Sequence, residues 1–395
     1  MKISQTKLLQ ALRREVAILF KDVDILLIVL VSPLFYALFY GTVYVHKVET
    51  DIPVIVIDQD NSALSRKLIR SLDASQNLLV VRVTQDAVEA KSAIEDWQTQ
   101  GAIWIPADFS KTLKSGRQAH LKVYLNTSRF LPSNDINRAV QQTVATLAAG
   151  VRLRYFQARG LNFDQATEQI QPLRVDDRNL FNVRQSYGDF LIPGVLALIL
   201  QQTLLFGLAM SVAREFELNS FEEWQKTSKD NTLLMFAGKG IFYFTLYLAY
   251  SLFFFSVIYG VLHLPFHGRY GTFLLLTALF LLNVTLWGMI IGSFFRSKIV
   301  ALQTLVFSSY PLFLLSGFSW PLQSMPWWLK NLSTLLPSTS YFLAMQRVTA
   351  MNAGPADIVR ELLHLLLLFV LSTSLAYWRF QYLQKSVPLG ASVRV

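Results

Sequence analysis

Cysteine is missing altogether from these 395 residues. Disulfide staples, iron–sulfur clusters and thiol nucleophiles are therefore excluded. Charge is scarce as well: 16% of residues are Asp, Glu, Lys or Arg, against 53% hydrophobic and 29 Phe. A chain this apolar, with the apolar residues gathered into long runs, is not a soluble globule. No Gly-x-x-x-x-Gly-Lys-Ser/Thr phosphate loop occurs. Gly238-Lys239-Gly240 is the nearest stretch and lacks both the spacing and the hydroxyl. The chain is therefore expected to bind no ATP, Mg or other cofactor by itself. His-Glu-x-x-His and Gly-x-Ser-x-Gly are also missing, so no hydrolytic or metal centre is expected. Asp58-Gln59-Asp60 has the look of a metal-binding Asp-x-Asp, but it closes a strand just before a helical stripe. There Asp60 or Asn61 reads as a helix cap. The formal charge of +10 carries no basic stripe with interleaved aromatics, so no nucleic-acid partner is expected.

What is present divides cleanly along the chain. Residues 1–24 read as an amphipathic helix lying in a membrane surface or packed on another subunit. Leu8, Leu12, Val16 and Leu19 share one face, with Leu9 and Phe20 alongside. Residues 25–45 are uncharged and long enough to cross a bilayer, without the short core and small-residue cleavage site of a signal peptide. Residues 46–186 change character. Apolar runs at Val54–Ile57, Leu78–Val83, Ala102–Ile105 and Leu121–Leu125 predict strands. Leu64, Leu68 and Leu72, then Ala90, Ile94 and Trp97, predict the helices between them, an α/β domain. Ile136, Val140, Val144, Leu147, Val151 and Tyr155 predict a long helix over 134–159 that packs on its own domain or on a second copy.

Residues 187–380 hold five further apolar runs: Phe190–Ala213, Gly240–Leu262, Thr272–Phe295, Ile299–Phe318 and Leu362–Trp378. Between the last two, residues 319–347 carry Pro321, Pro326, Pro337, Trp320, Trp327 and Trp328. Prolines at that density forbid one continuous span, and tryptophans suit the headgroup layer, so two short re-entrant helices are predicted there. The fold class is thus a mainly α polytopic membrane protein, six transmembrane helices plus an extracytoplasmic α/β domain. Basic residues near span ends set the orientation. Lys2, Lys7, Arg13, Arg14, Lys21, Arg214, Lys226, Lys229, Lys239, Arg296, Lys298, Arg379, Lys385 and Arg394 fall on one side. Arg269, Lys330 and Arg347 lie in the short loops of the other. By the positive-inside rule both termini, including the tail 381–395, are cytoplasmic, with the α/β domain outside. No span so bounded carries a charge in its middle, which argues against a proton or sodium gradient as driving force. Gln201, Gln202, Asn283 and Gln303 lie at depth. They either line a translocation path between two copies or hydrogen-bond helix to helix; adjacent Gln201 and Gln202 cannot both face one lumen.

One charged stretch, 214–230, interrupts the spans: Arg214-Glu215-Phe216-Glu217-Leu218-Asn219-Ser220-Phe221-Glu222-Glu223-Trp224-Gln225-Lys226-Thr227. Ser220 with Glu223 three residues on forms a capping box, and two acids in the first turn suit the helix dipole, so a short helix is predicted. The stretch resembles the Arg-Glu-x-Glu-x-Gly-Thr-hydrophobic-Glu-x-Leu-x-x-Thr-Pro loop of type-2 ATP-binding-cassette (ABC-2) exporter permeases. Ile52-Pro53-Val54-Ile55-Val56-Ile57-Asp58-Gln59-Asp60-Asn61-Ser62, Phe190-Leu191-Ile192-Pro193-Gly194 and Ser316-Gly317-Phe318-Ser319-Trp320-Pro321 are similar to further landmarks of that family in the same order. So are Met325-Pro326-Trp327-Trp328-Leu329 and Leu336-Pro337-Ser338-Thr339-Ser340-Tyr341. Asn219 stands where the family has Gly, and Ser228 where it has Pro.

The resemblance implies a permease subunit of an ATP-driven exporter in a bacterial inner membrane. Arg214, Glu215, Glu217, Ser220, Phe221, Glu222, Glu223, Trp224 and Thr227 would form a coupling helix on a separate cytoplasmic ATPase subunit, which holds ATP and Mg. It further implies a second permease subunit, as homodimer or heterodimer, with a periplasmic adaptor and membrane lipids as other partners. The alternative is a membrane receptor with an extracytoplasmic ligand-binding domain, which would need a larger cytoplasmic output module than this sequence offers.

Overall fold

The computed structural model describes residues 5–44, 49–170, 178–183, 185–228 and 231–386. The basic residues Lys2, Lys229 and Arg394, the tail beyond residue 386, the exit of the first span at Val45 and the Leu8 side chain fall outside that description. In chain order the elements are α1 (Gln5–Lys21), α2 (Val23–Val43), β1 (Ile52–Asp58), α3 (Ala63–Asp73), β2 (Leu78–Thr84), α4 (Ala87–Glu95), β3 (Gly101–Ile105), α5 (Phe109–Lys114), β4 (Lys122–Leu125), α6 (Phe130–Gln157) and α7 (Phe163–Ile170). They continue as α8 (Tyr187–Glu217), α9 (Phe221–Thr227), α10 (Thr232–Val261), α11 (Tyr270–Gly292), α12 (Lys298–Leu315), α13 (Trp327–Ser333), α14 (Pro337–Met351) and α15 (Val359–Ser386). The chain divides into two units, one of residues 1–47 and 179–395, the other of residues 48–178.

In the first unit α2, α8, α10, α11, α12 and α15 are each long and apolar enough to cross a membrane. Helix α8 is the axis: it is buried along most of its length, whereas α12 is almost wholly exposed on the outside of the unit. At 31 residues α8 is about 46 Å long, well over the ~30 Å hydrocarbon core, so its charged last turns project beyond it. Helix α2 contains a π turn at Leu27–Val31 directly before Pro33. Proline there offers no amide to the carbonyl four residues back and its ring crowds it. The wider turn relieves the clash, and the Ser32 hydroxyl takes the Leu27 carbonyl at 3.0 Å. The proline-rich stretch forms two short helices, α13 and α14, as its composition predicts. The first half of α14 is buried, with the Tyr341 ring stacked on Phe280 of α11 at 3.9 Å between centroids.

The second unit is a four-stranded sheet of order β2-β1-β3-β4, parallel across the first three strands and antiparallel at β4. Strand β1 is central and almost entirely buried, which explains its unbroken Ile/Val run. Val54 and Val56 meet Leu68 and Leu72 of α3 and Ile136 and Val140 of α6 on one face; Ile55 and Ile57 meet Ala90 and Ala93 of α4 on the other. The long helix therefore packs on its own domain. Trp97, predicted as part of the second helical stripe, instead lies past the end of α4. It occupies a left-handed turn (φ 62°) and is exposed.

Candidate functional site

The charged stretch forms a helix, but its entry differs from the expected capping box. Helix α8 ends in a Schellman turn. The Ser220 amide donates to the Glu215 carbonyl at 2.8 Å and the Asn219 amide to the Phe216 carbonyl at 3.3 Å, with Asn219 left-handed at φ 51°. That backbone requirement accounts for the family's glycine at this position, and asparagine is the side chain that meets it at least cost. The Ser220 hydroxyl does not cap α9. It donates to the Glu215 carboxylate at 2.6 Å, a charged acceptor that outcompetes a backbone amide.

Glu215 is fully buried, and around it converge charges that the sequence keeps far apart. Arg14 of α1 grips its carboxylate with both guanidinium arms, at 2.8 and 2.6 Å. Lys239 of α10, also fully buried, donates to Glu15 of α1 at 2.8 Å, to Ser211 of α8 at 2.8 Å and to Glu215 at 3.2 Å. All three ammonium protons are thereby used. The Trp224 ring of α9 lies 4.9 Å from the same ammonium. Two carboxylates and two cations thus neutralise one another, with Lys239, Glu15 and Glu215 buried and Arg14 partly exposed. Burial works against the Arg14 charge, but the Glu215 and Glu15 carboxylates more than offset it and hold the guanidinium above its ordinary value.

A second cluster lies beside the first, on the same last turns of α8. Asp22, between α1 and α2, accepts from Arg214 at 3.0 Å and from Lys298 of α12 at 2.9 Å; Lys298 also meets Asp24 at 2.8 Å. Its backbone amide donates to Glu217 at 2.7 Å. Burial would raise the Asp22 carboxyl, but the bond and charge of Lys298, the Ile25 amide and Arg214 pull it below the usual carboxylate range. Aromatics complete the joint. Phe216 stacks on Phe221 at 4.9 Å, Phe221 meets Trp224 edge-on at 5.8 Å, and Trp224 meets Phe380 of α15 at 5.7 Å.

The predicted coupling residues therefore divide. Glu215, Phe221 and Trp224 are buried and hold α9 to the bundle, and Arg214 and Ser220 belong to the same framework. Glu217 and Glu223 are exposed, with Leu218, Asn219 and Lys226 beside them, while Glu222 and Thr227 are half-buried. Of the polar residues at depth, Asn283 donates to the Leu279 and Leu365 carbonyls at 2.9 and 3.0 Å and so ties α11 to α15. Gln201 and Gln202 are buried within α8, and Gln303 is exposed on α12. Arg14, Glu15, Asp22, Lys239 and Lys298 were missed as site residues. Drawing the third span from Gly240 left Lys239 outside it and concealed a buried charge. The signal was there: Glu15 and Asp22 share the stripe of Leu12 and Leu19, and Lys239 follows Gly238. A Cβ on Gly238 would lie 2.6 Å from that of Ala11, so glycine is what lets α1 approach α10 closely enough for the ion pair.

A family profile described as ABC-2 family transporter protein matches residues 24–378. The chain belongs to that family. Three curated proteins of Escherichia coli (strain K12) are among those similar to it. The Probable multidrug ABC transporter permease YbhR is 24% identical over 84% of this chain and 87% of its own length. The Inner membrane transport permease YhhJ is 25% identical over 76% and 78%. The Probable multidrug ABC transporter permease YbhS is 22% identical over 72% and 73%. With its six candidate spans, this chain is a multi-pass membrane protein of the ABC-2 permease family.

Proposed function

We propose that the chain is the membrane subunit of an ATP-driven exporter, moved by a separate ATPase that docks on the exposed face of α9. Both termini and α9 lie in the cytoplasm, residues 48–178 lie outside, and ATP and Mg are held by the partner. The observation that carries this reading is the joint around Glu215. Helix α9 is fixed through charge and aromatic contacts to α1, α8, α10 and α15, and through the neighbouring cluster to α12. A push on Leu218, Asn219, Glu223 and Lys226 would move these helices as one body, switching a pair of permeases between two packings. The second permease is a copy or a relative of this chain. Its natural contact is α12, whose exposed face carries Gln303, Phe307 and Tyr310. The names of YbhR and YbhS make multidrug transport the first cargo class to assay.

The test is co-purification with the ATPase and ATPase stimulation for Glu223→Lys with Lys226→Glu. Retained membrane insertion with at least tenfold weaker co-purification supports the docking face. Unaltered co-purification and export in that variant would sink it.

A further inference from the structure

The unit of residues 48–178 contains two adjoining hollows that transport coupling does not use. One is a groove of about 440 Å³ between α3 and α6, walled by Lys67 and Ser71 on one side and by Thr146, Gly150 and Arg154 on the other. The second is a cavity of about 280 Å³ reaching between α5, β4 and α6, lined mainly by Leu68, Phe109, Leu113, Leu121, Val123 and Val140. Leu147 lines both, so the two hollows adjoin there. The charge is one-sided: the linings include the solvent-exposed Lys67 and Arg154, and no carboxylate. Among the described residues neither Lys67 nor Arg154 has an ion-pair partner. The groove therefore keeps two free cations beside an apolar recess, the arrangement of a ligand site with few polar groups and a largely hydrophobic lining. The recess has room for about nine groups of water size, at ~30 Å³ each, enough for a medium-length hydrocarbon chain and too little for a folded peptide. Its lining, apolar apart from His120 and Gln141, offers few partners to the hydroxyls of a sugar. Gly150 sharpens the point. Glycine inside a helix costs about 1 kcal/mol relative to alanine, yet a Cβ here would meet no atom within 4 Å. The residue is not needed for packing, and its bareness widens the groove.

We infer that this unit binds a single-chain anionic amphiphile, its head between Lys67 and Arg154 and its chain past Leu147 in the apolar recess. The ligand class is a long-chain carboxylate or a monoacyl phosphate, and the inference does not depend on the docking reading of α9.

Decanoate with a terminal diazirine, photolysed with the full chain in lipid nanodiscs, tests this. Peptide mass spectrometry should find label within residues 109–125 and 140–148. Excess decanoate should suppress that label at least fivefold and excess decanol should not. Lys67→Glu with Arg154→Glu should lower it at least fivefold. Gly150→Trp, whose Cβ meets no atom within 4 Å and whose ring is placed to occupy the groove, should do the same. Competition by monoacyl glycerol phosphate stronger than by decanoate assigns the head as phosphate; the reverse assigns carboxylate. Label confined to the membrane helices, equal competition by decanol, or label indifferent to both variants would overturn the proposal. A preserved elution volume in the Gly150→Trp protein separates loss of binding from loss of fold.

Discussion

Two ion clusters sit side by side at the end of α8, built from the same residue types, and they differ in exposure. Around Lys239 the side chains of Glu15 and Glu215 are closed off, whereas Lys298 meets a half-exposed Asp24. Coulomb attraction scales inversely with the local dielectric, and so does the penalty for leaving a charge alone. The dry cluster is therefore costlier to break and less sensitive to salt; the wet one, open at Asp24, is cheaper and more screened. One end of a single helix thus carries a rigid joint and a yielding one side by side.

Removing one partner of the dry cluster is the harshest way to expose that contrast. Lys239→Met leaves two buried carboxylates with Arg14 alone, and a loss of about 3–5 kcal/mol is expected, read as a lower Tm in detergent. Adding Glu15→Gln should restore part of it, in a double-mutant cycle with coupling above 1 kcal/mol or so. A cost no larger than that of disrupting Asp22 would erase the distinction drawn here. Trp224→Ala empties a buried site between α9 and α15 and should cost about 3 kcal/mol, with ATPase stimulation falling further than insertion does. Asp22→Asn in the wet cluster should cost about 1 kcal/mol, less in high salt. Its pH dependence has a definite sign. The folded-state carboxyl titrates below its unfolded value, so its contribution is complete above roughly pH 4 and fades as pH falls through the folded value. The Tm gap between wild type and Asp22→Asn should then be flat from neutrality to about pH 5 and close under more acidic conditions. Smallest of all is Lys226→Ala. It breaks an exposed pair with Glu222 at 3.6 Å, should cost under about 0.5 kcal/mol, and yet should weaken ATPase co-purification.

Much of the fold was legible because its signals are local. A run of apolar residues long enough to span reads as a span, and strands of the Val54–Ile57 type announce burial on both faces. Ends were misjudged where a helix outlives its apolar run: α10 starts at Thr232, not Gly240, and α8 continues to Glu217. That error has a physical origin. Composition changes at the bilayer boundary, while backbone hydrogen bonding does not. Ser220 shows the same limit in miniature, since no local rule reveals that its hydroxyl will find a carboxylate five residues earlier more attractive than the amide of Glu223. Asn219, Trp224 and Glu215 were recognised as belonging to one segment, but which of them faces inward depends on α1, α10 and α15, all distant in sequence.

The unequal reach of α2 and α8 has a practical corollary. At 21 residues α2 is about 32 Å long and barely matches the hydrocarbon, whereas α8 overshoots it by roughly half. In a bilayer thinner than its apolar length α2 would then tilt against α8, and that tilt would pull on Asp22 at its foot. Acyl-chain composition becomes a dial on the yielding joint alone, leaving the charges around Lys239 as the fixed reference against which the rest of the bundle is measured.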